Sequence, residues 1–128
     1  MKIQTRRKTS IPQLLKKAEK VFNAYVRKRD SEEYSFICIS CGQLCEKHEL
    51  NAGHYVPVKG GSFLRFHEWN VNGECVRCNG FDEFHLVGYR KRLIDKIGED
   101  AVKYLEEHRR DIKKWTRSEL EEIIEKYK

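Results

Sequence analysis

No stretch of this 128-residue chain approaches the roughly 18 consecutive apolar residues of a membrane-spanning helix, which excludes a helical membrane anchor. The first eight residues, Met1-Lys-Ile-Gln-Thr-Arg-Arg-Lys8, carry basic side chains with no apolar run behind them, so no secretory signal is visible. Cysteine is present in an odd number, five, which argues against a secreted disulfide scaffold. Internal repeats and low-complexity linkers are absent. Apolar residues are also scarce: counting Gly but not Tyr they make up about 41% of the chain, below the usual 45–50%. A core this lean calls for help from a metal or a partner. Acid is nearly missing from residues 1–29, where Glu19 stands alone against ten basic side chains. These absences leave a small cytoplasmic protein, one domain over residues 1–128.

The charge that is present is unevenly placed. Overall, 26 Lys and Arg face 20 Asp and Glu, a net charge of +6 concentrated in the N-terminal arm. A basic arm followed by near-neutral segments fits a polyanion such as nucleic acid. It equally fits a solvated helix face that keeps the protein soluble.

Cys38-Ile-Ser-Cys41-Gly42 and Cys75-Val-Arg-Cys78-Asn79 are two CxxC pairs. Each pair can place two thiolates on one zinc, and together they complete a tetrahedral four-cysteine site. Such a site is structural, because four thiolates leave no open position for a substrate, and its metal binding adds directly to folding. Gly42 suits the tight turn after the first pair. Cys45 is left over, as a free thiol or an alternate ligand.

Ser10-Ile-Pro-Gln13 reads as a helix start with a capping box. Leu14, Leu15, Ala18, Phe22 and Tyr25 then recur at helical spacing, which predicts a basic amphipathic helix over residues 11–29 behind a basic tail at 1–10. Lys16, Lys20 and Arg27 fall largely off the buried stripe. Tyr34–Ile39 reads as a strand and His54–Val58 as a second, with Pro57 at its end. After Cys78 the pattern is helical through Leu86, Tyr89, Leu93 and Ile97, with Gly98 as the stop. Residues 99–128 read as C-terminal helices, the last one capped by Thr116 and Glu119 and stapled by Trp115 onto Leu120. The fold class is α+β.

The spacer between the cysteine pairs holds Gly53-His54-Tyr-Val-Pro-Val-Lys-Gly-Gly61, then Trp69-Asn70, then Cys75-x-x-Cys78-Asn79. It resembles the HNH (His-Me finger) nucleases, in which a zinc-stapled ββα-metal finger carries a histidine, a loop asparagine and a helix residue. The matching positions are His54, Asn70 and Asn79. Chemistry supports the match independently. Phosphodiester hydrolysis needs a base, and histidine is near-neutral at physiological pH. It also needs a hard cation, Mg²⁺ or Mn²⁺, for which the Asn79 oxygen is a candidate ligand. Asn70 is expected to fix the loop and orient the imidazole by a hydrogen bond. The bland alternative makes His54 a core histidine and both asparagines turn residues.

A wider set of residues is similar to the phage NinG (Rap) recombination proteins: Asn51-Ala-Gly-His54-Tyr55, Leu64-Arg-Phe66, Leu86-Val-Gly-Tyr89-Arg90, Ile97-Gly98 and Trp115-Thr116. That resemblance covers the chain from about Ile11. It implies a phage or prophage endonuclease acting in the bacterial host on Holliday junctions and D-loops, leaving 3′-hydroxyl and 5′-phosphate ends. Its implied partners are branched DNA and other phage recombination proteins, and two symmetric nicks suit a homodimer. Lys59, Arg65, Arg77 and Arg90 join Lys16, Lys20 and Arg27 as candidate phosphate contacts. The sequence departs from the finger pattern at Gly53, where many HNH fingers carry Asp, at Ala52, where some members of the resembled family carry Asp instead, and at Gly80–Phe84, where a Lys-containing segment is usual. The second metal ligand is thus open among Asn51, Asp82, Glu83 and His85. Competing readings are a zinc-stabilised DNA-binding accessory that cuts weakly or not at all, and an HNH nuclease that cuts ordinary duplex.

Overall fold

A computed structural model of the chain describes residues 9–128; the basic tail predicted at 1–10 lies mostly outside them. Helix α1 runs Ile11–Arg29, with the Ser10–Gln13 capping box in place and Leu14, Ala18, Phe22 and Val26 on the buried face. Strands β1 (Ser35–Ile37) and β2 (Leu44–Glu46) form one antiparallel pair, and β3 (Leu50–His54) and β4 (Val71–Cys75) form another. Helix α2 (Val76–Phe81) follows β4 directly, and α3 (His85–Ile97), α4 (Glu99–Glu107) and α5 (Arg117–Tyr127) complete the chain. The molecule is therefore a mixed α+β fold with two small two-stranded sheets.

The β3–β4 register sorts side chains onto two faces, because directly paired residues of an antiparallel ladder point the same way. Leu50, Ala52 and His54 share one face with Cys75, Gly73 and Val71, while Asn51 and Gly53 share the other with Glu74 and Asn72. Helix α1 covers the first face: Val71 packs with Phe22, Val26, Phe66 and Leu120 in one core. Helix α3 covers the second, where the Tyr89 hydroxyl donates to the Gly53 carbonyl at 2.6 Å and accepts from the Asn72 amide at 3.1 Å. Tyr89 and Leu93 anchor a second core with Leu64, Val102 and Leu105, as their spacing predicted. A third, smaller core joins Phe36 and Leu50 to the cysteines. Helix α5 closes on α1 through Tyr127, whose ring meets Phe22 edge-on at 4.9 Å.

Two expectations need correction. The strand predicted at His54–Val58 instead ends at His54. Beyond it the Tyr55 N–H donates to the Asn70 carbonyl, the Val56 N–H goes to the Asn70 side chain, and Pro57 has no N–H to give. The helical pattern after Cys78 is also two helices, not one. They are parted at Asp82–Phe84, where the Asp82 side chain caps the Phe84 N–H at 2.9 Å. No helix among the described residues is long and apolar enough to cross a membrane.

Candidate functional site

Cys38 follows β1, Cys41 sits in the turn beyond it, Cys75 ends β4 and Cys78 lies in α2. The antiparallel hairpin and the helix bring these distant pairs together, so that the four sulfur atoms lie within 4.8 Å of one another. Thiolates about 2.3 Å from a tetrahedral zinc stand roughly 3.8 Å apart, so this cluster fits the ion. The N–H groups of Cys41 and Cys75 point at Cys38 Sγ, at 3.5 and 3.3 Å. Gly42 has φ +73°, and the Arg92 guanidinium occupies the space a side chain there would need. Arg92 in turn donates to the Ser40 carbonyl at 2.6 Å, which fastens the first cysteine turn to α3. Arg77 stands exposed beside Cys75, Cys78 and Cys41, whose thiolates raise its pKa further. Cys45 stays outside the cluster on β2, its thiol pushed up to about 11 by burial and by the neighbouring cysteines.

His54 ends β3 on the face turned to α1. Its ring Nε2 lies 3.3 Å from the Arg65 carbonyl oxygen. A carbonyl only accepts, so Nε2 carries the proton and Nδ1 the free lone pair. Burial lowers the imidazole pKa and the Arg65 guanidinium adds to this, against the opposing pull of that hydrogen bond and of Glu19 on α1. The ring is neutral near pH 7, the state a general base requires. Arg65 Nε is buried and has no hydrogen-bond partner among the described residues, leaving a guanidinium donor beside the imidazole.

Asn70 is completely buried. Its side chain donates to the Val56 carbonyl at 3.0 Å and to the Leu64 carbonyl at 3.4 Å, and accepts from the Val56 N–H at 2.8 Å. It therefore holds both ends of the 55–70 loop, as expected. It does not touch the imidazole: the Arg65 carbonyl orients His54, because the loop returns its backbone and not the Asn70 amide to the ring. Asn79 stands exposed on α2, and no hydrogen bond joins it to His54 among the described residues. Sequence reasoning missed Glu74, Glu19 and the Arg65 carbonyl. Only Glu74 left a trace, as an acid directly before a cysteine of the second CxxC pair, in a strand with no other Asp, Glu, Lys or Arg.

The candidate phosphate contacts divide. Lys16 and Lys20 are exposed on α1, off its buried stripe, and Lys59 is exposed in the loop after His54. Arg27 is half-buried at the end of α1. Arg90 is half-exposed and already engaged, its guanidinium forked onto Glu106 at 2.8 and 3.1 Å, with Tyr55 donating to the same carboxylate at 2.6 Å.

A family model described as "Bacteriophage Lambda NinG protein" matches residues 1–128. Protein ninG of Escherichia phage 933W is 40% identical over 114 residues, which cover 88% of this chain and 54% of that protein. Protein ninG of Escherichia phage lambda is 39% identical over 114 residues, covering 88% and 53%. Protein ninG of Salmonella phage P22 shows the same identity and coverage, 39% over 114 residues, 88% and 53%. The chain thus spans about half the length of the curated relatives it matches. No solved structure matches it.

Proposed function

The chain belongs to the bacteriophage lambda NinG family, and from that membership and the loop geometry we propose that it is an HNH-type DNA endonuclease acting on branched recombination intermediates in the host cytoplasm. The observation that carries the reading is His54: a neutral imidazole at a strand end, its Nε2–H held by the Arg65 carbonyl and its Nδ1 left as the base. In this reading Nδ1 takes a proton from water, the water oxygen bonds to phosphorus, the P–O3′ bond breaks and the leaving O3′ takes a proton from solvent, which gives 3′-hydroxyl and 5′-phosphate ends. The Arg65 guanidinium, with its unpartnered Nε, binds the phosphate oxygens as charge gathers on them. Asn70 holds the loop so that these groups need not reorganise. A Mg²⁺ or Mn²⁺ ion, for which the exposed Asn79 amide oxygen is a candidate ligand, would neutralise charge on the phosphate and leaving oxygen.

The zinc cluster is structural in this scheme, and Lys16, Lys20 and Lys59 contact the DNA backbone without reading bases. The preference for branches over duplex is part of this proposal and is supported only by the resemblance to phage recombination proteins.

The test uses purified, zinc-loaded protein with labelled four-way junction, D-loop and linear duplex, in Mg²⁺ or EDTA. Cutting of branched DNA in Mg²⁺ only is expected. His54→Ala should abolish cutting while leaving binding intact. If no substrate is cut in any divalent metal, the nuclease reading fails and a zinc-stabilised DNA-binding accessory takes its place. If duplex is cut as fast as junctions, the recombination reading fails.

A further inference from the structure

Glu74 is the one carboxylate in the middle of the β3–β4 hairpin, and its relative exposure is 0%. It lies on the face covered by α3, opposite Asn51. One oxygen, Oε2, accepts from His85 Nδ1 at 2.6 Å and from the Ser40 hydroxyl. The other, Oε1, is buried with no hydrogen-bond partner among the described residues. It rests against Gly53, where any Cβ would collide with it. Among the described residues its ion pairs include no Lys or Arg; His85 alone pairs with it.

A buried carboxylate oxygen with neither donor nor counter-charge is costly, so the arrangement calls for a positive charge. The groups that meet here suit a hard divalent cation: a carboxylate, an imidazole nitrogen and the Ser40 hydroxyl, with Asn51 opposite Glu74 on the same face of the hairpin. His85 offers the way in, since its side chain is 20% exposed while that of Glu74 is 0%.

We propose that Glu74 and His85 form a divalent-cation site on the α3 face of the hairpin, in which the Glu74 carboxylate stands in for the acidic side chain that position 53 lacks. Its use in catalysis rests on the nuclease reading; its cation binding is measured without DNA. The departure at Gly53 thereby acquires a reason. A side chain at 53 would be expelled by Glu74, and the acid enters the same space from the neighbouring strand.

The experiment is a Mn²⁺ titration of the zinc-loaded full chain, followed by electron paramagnetic resonance of the free ion. Zinc content and circular dichroism are recorded on every sample. One Mn²⁺ beyond the zinc is expected. Glu74→Gln keeps the shape and removes the charge, and should weaken Mn²⁺ binding roughly tenfold or more. His85→Ala leaves the zinc-flanking strand untouched and should weaken binding in the same direction. Absence of Mn²⁺ binding by the unaltered chain overturns the proposal, as does unchanged affinity in either zinc-loaded variant. Should Glu74→Gln fail to load zinc, His85→Ala decides. Cutting of DNA alongside unchanged Mn²⁺ affinity in Glu74→Gln sinks this proposal and spares the nuclease. Mn²⁺ held through Glu74 with no DNA cut does the reverse.

Discussion

Asn70 shows how much one side chain carries here. Three backbone groups on both flanks of the 55–70 loop depend on its amide, inside a site that admits no water-exposed substitute. Asn70→Ala strands those groups and should cost about 3 kcal/mol, read as a shift in the denaturant midpoint. Cutting should fall with it, since His54 takes its orientation from a carbonyl on the same loop. The four clustered cysteines were legible from their paired spacing, and Asn70 as the residue that fixes the loop. The partner of His54 was not, because a backbone carbonyl brought round by a loop leaves no mark on composition. Glu74 was passed over for a related reason: its meaning lies in Gly53, Ser40 and His85, each supplied by a different part of the chain.

At the scale of elements, the joint between α1 and the hairpin is ionic. Asp30 follows α1 and receives Arg29 at 2.7 Å, Lys96 of α3 at 3.1 Å and the Gly73 N–H at 2.8 Å. Burial works to raise the Asp30 pKa, but these partners outweigh it and hold the carboxyl below its usual 3.8. A carboxylate with a depressed folded pKa contributes stability that is complete above the unfolded value and is lost as pH falls through the folded one. Acid titration should therefore show stability falling below about pH 4, with a shallower fall in Asp30→Asn, followed by fluorescence or circular dichroism. The β1–β2 unit depends instead on the four clustered cysteines, which could hold a zinc ion. Its exposed Ile37 and Leu44 add little burial, so the cysteine cluster holds it in place. Zinc chelation should remove a binding free energy on the order of 10 kcal/mol, lowering Tm steeply and releasing one zinc per chain to a colorimetric indicator.

The start and extent of α1 and the capped start of α5 were legible to within a residue or two, and α3 ended at Gly98 as its pattern required. Strand limits were not. In this chain His54 and Tyr55 are equally strand-like, and only the hydrogen bonds of Asn70 decide where pairing stops.

Across the whole molecule, the long-range associations escaped sequence reading. Nothing in the periodicity of α1 or α5 says that their apolar stripes face each other, with Phe22, Tyr25 and Tyr127 in one aromatic cluster. That cluster spends the apolar face of α1 on the protein and leaves Lys16 and Lys20 outward. If those cations grip phosphates, replacing both by alanine should weaken binding to every DNA tested. It should also flatten the dependence of log affinity on log salt by about two, measured by fluorescence anisotropy. An unchanged slope would return α1 to the role of a solvated face.

The aromatic meeting of Phe22 with Tyr127 has a temporal side as well. These partners lie at opposite ends of the described chain, and such distant contacts form late and slowly. As the polypeptide leaves the ribosome, α1 emerges before α5, so its apolar stripe lacks a principal cover until residues 117–127 have been made. The packing of the cationic helix, which also meets the hairpin bearing His54, is thus complete only once α5 has been made.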